Sequence, residues 1–335
     1  MSYTAHMKKY EPPFIVTNKV LNLVSAISEK VGKIMVYRDF DSKPFLRRNN
    51  RIKSVHSSLK IEENSLSESM VRAVLDGRYV VGPEKEILEV ENAFAAYEKL
   101  PNIDPFELAG LKRVHGIMTK GLVSESGEFR KGGEGVFKGD RCIFIAPPAD
   151  IVPTLMQQLF DWMKANKDLV HPLIMSCVFH YEFVFIHPFS DGNGRMARLW
   201  QNTLLMQWQP LFQYMPIESQ IEKFQDAYYD AISHCNATGD STAFVEFMLS
   251  MIDSTLQVAI DQHKQDSGLT PQLDELLTVM EYDTPYTANS LLGKLGLKSK
   301  EALRRNYLGP AIENGYVEMS ITDKPTSRNQ RYIKR

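Results

Sequence analysis

His187-Pro188-Phe189-Ser190-Asp191-Gly192-Asn193-Gly194-Arg195-Met196-Ala197-Arg198 is the stretch on which the reading of this chain turns. A helical pattern precedes it, Leu173 to Ile186, and another follows, Arg195 to Trp208. A glycine-rich loop that runs into a helix N-terminus leaves backbone N–H groups pointing outward, and the helix dipole adds positive charge there. Gly192, Asn193 and Gly194 therefore read as a cradle for an anion, phosphate above all. Asp191 is a hard oxygen ligand beside it, placed for a phosphate-bridging Mg²⁺. Arg195 and Arg198 are three apart and project from one side of the helix, and the planar guanidinium fork suits phosphate oxygens. His187 stands at the other lip, with a pKa suited to taking a proton at neutral pH.

Taken singly, each feature has an ordinary reading: a turn between helices, a surface histidine before proline, a solvated arginine. Here base, metal ligand, phosphate nest and two arginines fall together in one short run. The run resembles the signature of the Fic (filamentation induced by cAMP) family, H-P-F-x-D/E-G-N-G-R-x-x-R, at every defined position. The resemblance implies transfer of AMP from ATP to a Ser, Thr or Tyr hydroxyl of a protein, including the enzyme itself. In that scheme ATP is the co-substrate and Asp191 carries Mg²⁺. Gly192, Asn193, Gly194, Arg195 and Arg198 bind the phosphates, and His187 is the catalytic base.

Working outward, the upstream segment Arg51 to Asn64 carries Ile52, Val55, Leu59 and Ile61 at roughly helical spacing. It is similar to the S/T-x-x-x-E-G/N element with which family members block their own ATP site. Ser58 and Glu62 fit, whereas Glu63 stands where the family has Gly or Asn. The expected inhibitory residue is Glu62, with Glu63 as the alternative. Downstream of helical patterns over 84–122, residues 124–148 change character. Val136-Phe137 and Cys142 to Ala146 flank Lys138-Gly139-Asp140-Arg141, a β-hairpin in an otherwise helical chain. After Gly127-Glu-Phe-Arg130 this hairpin resembles the family's flap, on which a protein substrate would dock by strand pairing. His115 and His180 lie on apolar faces and read as core residues.

The patterns at 150–166, 172–186, 195–208 and 218–260 complete a helical body, and Gln265 to Pro271 reads as a linker. Beyond it, Thr287 can cap a helix through Leu295, Gly296 ends it, Lys300 to Ile312 suits a second, and Tyr316 to Ile321 with Arg331-Tyr-Ile-Lys suits two strands. That order reads as a winged helix. Arg304, Arg305, Arg328 and Arg331 make DNA one partner to consider, and protein contact or a homodimer the other. The fold expected is mainly α: an N-terminal helical region over 1–84, a Fic-type core with its hairpin over 85–262, and a winged helix over 270–335.

Composition sets the outer bounds. The chain has 335 residues, 43% hydrophobic and 24% charged, ordinary for a globular protein of more than one domain. Its net charge of −2 argues against a general polyanion binder. Three sparse cysteines, Cys142, Cys177 and Cys235, read as reduced packing residues of a cytoplasmic protein. The N-terminus shows no signal peptide, and no apolar run stands out at the ~20 residues a membrane span needs. The rival readings are another phosphoryl or nucleotidyl transfer, removal of AMP by the same site, and a nucleotide-sensing DNA-binding regulator.

Overall fold

The computed structural model describes residues 10–36, 44–138, 141–266, 270–321 and 327–334. They form two compact units, one up to Ile260 and one from Asp261. In order, the first unit runs α1 (Asn18–Val36), α2 (Pro44–Ile61), α3 (Glu68–Leu75), α4 (Glu84–Lys99), α5 (Leu108–Met118), β1 (Gly135–Lys138), β2 (Arg141–Ile145), α6 (Val152–Asn166), α7 (Pro172–Ile186), α8 (Asn193–Trp208), α9 (Ile217–Lys223), α10 (Gln225–Thr238) and all but the last residues of α11 (Thr242–Asp266).

The centre is the hairpin of α7 and α8. Nearly every side chain from Leu173 to Phe183 is buried, so α7 shows no solvated face, as expected of a helix enclosed on all sides. α8 is buried from Arg195 through Leu205, which puts two arginines, Gln201 and Asn202 inside the protein. Around this pair α1 to α6 and α9 to α11 share one apolar core, including Val20, Ile27, Val55, Val90, Leu111, Phe160 and Met248.

Two expectations are corrected. The single helical stretch over 218–260 is three helices: α9 stops at Phe224, and α10 ends in a left-handed Gly239 with φ 67°. The 21 residues Thr242–Gln262 are, by length and composition, enough to cross a membrane, although no such run was expected from the sequence. Glu246 and Asp253 break the run to the eye, and both are used locally, against Lys19 and Lys30. Half of the stretch's most apolar part is buried inside the protein. Phe244, Met248, Leu249, Ile252 and Leu256 are fully covered, which makes it a core helix. Helix α3, unassigned from sequence, is eight residues long and starts on a Ser67 cap that accepts from Met70 N–H.

β1 and β2 pair antiparallel, with a bulge between Val136 and Phe137. The turn residues Gly139 and Asp140 and the Cys142 side chain lie outside the described residues. Cys177 and Cys235 are buried free thiols.

The second unit has its own core of Leu273, Leu276, Leu291, Leu303, Leu308 and Tyr332. It begins with α12 (Pro271–Val279), capped by Thr270, where the sequence showed only a linker's end. β3 (Pro285–Tyr286) precedes α13 (Ala288–Lys294), capped by Thr287 as read from sequence. α14 (Lys300–Leu303), a π turn over Arg304–Leu308 and α15 (Gly309–Glu313) fill the expected second helix. β4 (Val317–Met319) and β5 (Tyr332–Lys334) pair antiparallel, with the unforeseen β3 on the other edge of β5. The turn at Asp323 to Pro325 lies outside the described residues.

Candidate active site

The loop between α7 and α8 is held by its own side chains. α7 ends where His187 turns left-handed, φ 51° and ψ 59°, its N–H still bonded to Phe183 O. Pro188 follows and cannot continue the ladder. Asn193 closes the loop: its amide oxygen accepts from Phe189 N–H at 3.0 Å and its amide nitrogen donates to Phe189 O at 2.7 Å. The Asn193 side chain is thereby spent on the loop, and only its backbone remains for an anion. Phe189 is fully buried and stacks on His115, ring centroids 3.6 Å apart and ring planes nearly parallel. Burial of such a ring is worth about 1.5–3 kcal/mol, enough to fix the loop.

His115 is a core residue, as read, with a second task. Its Nδ1 accepts from Gly127 N–H at 3.0 Å, so the ring's proton is on Nε2, which donates to Asp191 O at 3.0 Å. Burial pushes its pKa down to about 4 and keeps it neutral. It ties the start of the hairpin to the glycine loop. His180 is structural, its ring nitrogens meeting Gln201 at 2.5 Å and Tyr228 at 3.0 Å.

Gly192 caps α8 at φ 80°, where a β-carbon would also meet Thr119. At Gly194 the neighbour is different: a β-carbon there would land on the carboxylate of Glu62. Glu62 is the residue at which α2 stops. Asn64 N–H bonds to Leu59 O at 3.1 Å and Glu63 N–H to Lys60 O at 3.0 Å, the paired bonds of a Schellman turn. Glu63 occupies its left-handed position at φ 67°, where Gly or Asn is favoured. That sets the register: Glu62, not Glu63, reaches the loop. Its Oε1 accepts from Arg198 Nη2 at 2.7 Å, while Arg198 Nε donates to Ser58 Oγ at 3.1 Å and Nη2 to Ser58 O at 2.9 Å. Arg198 is 3% exposed. Burial works against its charge, but the Glu62 carboxylate beside it carries the pKa upward.

The end of α2 is further pinned from α9 and α10. Ile61 O accepts from Gln225 Nε2 at 3.1 Å and Tyr229 OH at 3.4 Å, and Lys60 pairs with Glu222 at 2.8 Å.

On the other side of the loop Asp191 Oδ1 accepts from Gly192 N–H at 2.6 Å and from Arg195 Nη2 at 3.0 Å. Arg195 is 3% exposed; its Nη1 lies 3.7 Å from Glu89, too far for a hydrogen bond, and its Nε and Nη1 have no hydrogen-bond partner among the described residues. A buried cation with two unbonded N–H groups is suited to gaining an anion. Among the described residues no three of His, Cys, Asp and Glu cluster as a metal cage. Asp191 alone, with Oδ2 accepting no hydrogen bond among them, fits a cation that takes its other ligands from phosphate and water, as Mg²⁺ does.

His187 sits between these halves. Its Nδ1 faces Val184 O at 3.3 Å, which leaves Nε2 as the proton acceptor. Burial lowers its pKa, the Val184 bond and the Glu62 and Asp191 charges oppose that shift, and the Arg130 charge adds to it. The imidazole is therefore neutral at pH 7. Sequence reasoning brought together His187, Asp191, the glycines, Arg195, Arg198, Ser58 and Glu62, and the structure places them at one site. It missed the bracing by His115, Arg130, Gln225 and Tyr229, whose only signal was the Gly127-Glu-Phe-Arg130 run.

Comparison with known proteins shows the family. Residues 102–205 match the model of the Fic/DOC family, and residues 271–333 match that of the Filamentation induced by cAMP protein Fic-like, C-terminal domain. A protein adenylyltransferase Fic from Culex quinquefasciatus is 33% identical over 217 residues, covering 62% of this chain and 41% of its own. One of that name from Nematostella vectensis is 27% identical over 240 residues, 66% and 53% of the two chains. The chain thus spans about two fifths to one half of the length of these curated relatives. The crystal structure of a Fic family protein from Desulfovibrio desulfuricans G20 aligns over 97% of this chain and 98% of its own, with TM-score 0.74 and 41% identity. With 41% of residues identical along almost the whole of both chains, the chain belongs to the Fic family.

Proposed function

We propose that this chain transfers AMP from ATP to a Ser, Thr or Tyr hydroxyl of a protein, and that Glu62 holds the site shut. One observation carries the reading: a carboxylate from outside the loop lies over Gly194 at the N-terminus of α8 and on the Arg198 guanidinium. An anion already occupies the place built for one. The names of the curated relatives support adenylyl transfer as the chemistry.

The steps follow from the groups present. The ATP phosphates lie on the backbone N–H groups of Gly192, Asn193 and Gly194, and a terminal phosphate takes Glu62's place on Arg198. Asp191 would hold Mg²⁺, which draws charge from the α- and β-phosphates when bound. His187 Nε2 takes the proton of the target hydroxyl as its oxygen attacks the α-phosphorus. The bond from that phosphorus to the β-phosphate oxygen breaks, and Arg195 and Arg198 stabilise the departing pyrophosphate. Positioning and charge supply the rate, since no covalent enzyme intermediate forms. The target segment pairs with the β1–β2 hairpin, where Ile145 stands largely exposed.

The test is the full chain carrying Glu62→Gly, incubated separately with ATP labelled on the α- and on the γ-phosphate. Retention of the α-label on Ser, Thr or Tyr is expected, and retention of the γ-label would identify a kinase. Release of label by the wild-type chain from a modified sample would reveal AMP removal. His187→Ala should lower the transfer about 10²–10⁴-fold.

A further inference from the structure

We infer that Arg130 is a positioning residue that locks the substrate hairpin to the catalytic base, so that one guanidinium sets both; the inference rests on the adenylyl-transfer reading. Arg130 ends the segment Gly127-Glu-Phe-Arg and is 2% exposed. Its nitrogens all point at backbone carbonyls, and these come from two sides. Nη1 donates to Gly132 O at 2.8 Å and Nη2 to Pro147 O at 2.5 Å, just before β1 and just after β2, at the two feet of the hairpin. Nε donates to His187 O at 2.6 Å and Nη2 also reaches Ile186 O at 3.4 Å. Its own backbone N–H bonds to Pro188 O at 3.0 Å.

The need for this arrangement is physical. A helix leaves its last carbonyls without intrahelical partners, and α7 ends buried, with His187 left-handed and Pro188 unable to donate. A cation at that end satisfies the carbonyls and suits the helix dipole. The same fork fixes the spacing between the feet of the hairpin. A target hydroxyl aligned by the hairpin thus meets an imidazole whose backbone is held by the same side chain. Lysine would not serve: its donors sit on one nitrogen and cannot span carbonyls on opposite sides.

The experiment compares the full chain with Glu62→Gly alone against the same chain with Arg130→Ala or Arg130→Lys added. With α-labelled ATP, both additions should cut kcat for protein modification at least tenfold, while ATP affinity by calorimetry stays within about twofold. The lysine variant, which keeps the charge and much of the stem, gives the reading if the alanine variant does not fold. A second readout does not depend on transfer: the imidazole titration of His187, followed by NMR. The groups that act on it are Arg130, Glu62 and Asp191 with the Val184 carbonyl, and Arg130 lowers its pKa. Losing the Arg130 charge should raise the midpoint in Arg130→Ala. An unchanged midpoint, or full activity in either variant, overturns the inference. No α-label transfer in the Glu62→Gly parent would defeat the adenylyl-transfer reading instead, leaving the titration to decide the role of Arg130.

Discussion

At the scale of single residues, Glu63 is the informative departure. The turn that presents Glu62 needs a left-handed residue, and a side chain there costs about 1–2 kcal/mol. Glu63→Gly should relieve about 1 kcal/mol of that in the closed site, deepening the restraint and lowering resting AMP transfer about fivefold. In a Glu62→Gly background it should change nothing; a rise in transfer from Glu63→Gly in the wild-type chain would reverse the roles of the two glutamates. His187 gives a pH prediction. Its pKa is lowered in the folded protein, so the neutral base persists as pH falls past the ordinary histidine value of about 6.5. The rate in a Glu62→Gly chain should therefore stay flat through that value and drop only at lower pH. A midpoint at or above 6.5 would contradict the partly buried, neutral imidazole.

The residues of the loop were legible because chemistry concentrates there within a few positions. The bonds made by Asn193 and His115 were not legible, because the partner a side chain takes is not written in its immediate neighbours: one holds Phe189, the other joins Gly127 to Asp191.

At the scale of elements, α2 is a core helix whose C-terminal turn sets Glu62 on Arg198. Its inner face buries Ile52, Val55 and Leu59, and several polar bonds tie it to α9 and α10. Ser54 Oγ donates to Glu218 at 2.9 Å, Ser57 meets Ser219 at 3.1 Å, and Lys60 pairs with Glu222. Glu218 is 1% exposed and also accepts from Tyr97 OH at 2.6 Å. Burial raises its pKa and these donors counter the shift. Tyr97→Phe should leave that carboxyl short of a partner and lower stability by about 1–3 kcal/mol in urea unfolding. Gln225→Ala removes one bond to the Ile61 carbonyl and should raise resting transfer by a smaller factor than Glu62→Gly; no change would mean that the turn stands without α10. Periodicity showed α2 and the hairpin because their patterns are regular. The short α3, the two-residue β3 and the breaks at Phe224 and Gly239 escaped it, since each rests on one cap or one turn.

At the scale of the whole molecule, two separate cores predict separable tasks. Removing residues 270–335 should leave α-labelled AMP transfer by a Glu62→Gly chain within about twofold. We propose that the second unit is a winged helix whose Arg304, Arg305, Arg328 and Arg331 meet phosphates. Gel shift of duplex DNA by the full chain, absent after the truncation, would support that reading, and loss of a dimer in light scattering would favour a packing role. The measurement that bears most directly on the whole account is the rate of α-labelled AMP incorporation by the full wild-type chain and by Glu62→Gly, side by side. The account predicts at least a tenfold rise on removing Glu62, lost again on adding His187→Ala. Equal rates for the wild type and Glu62→Gly would contradict it.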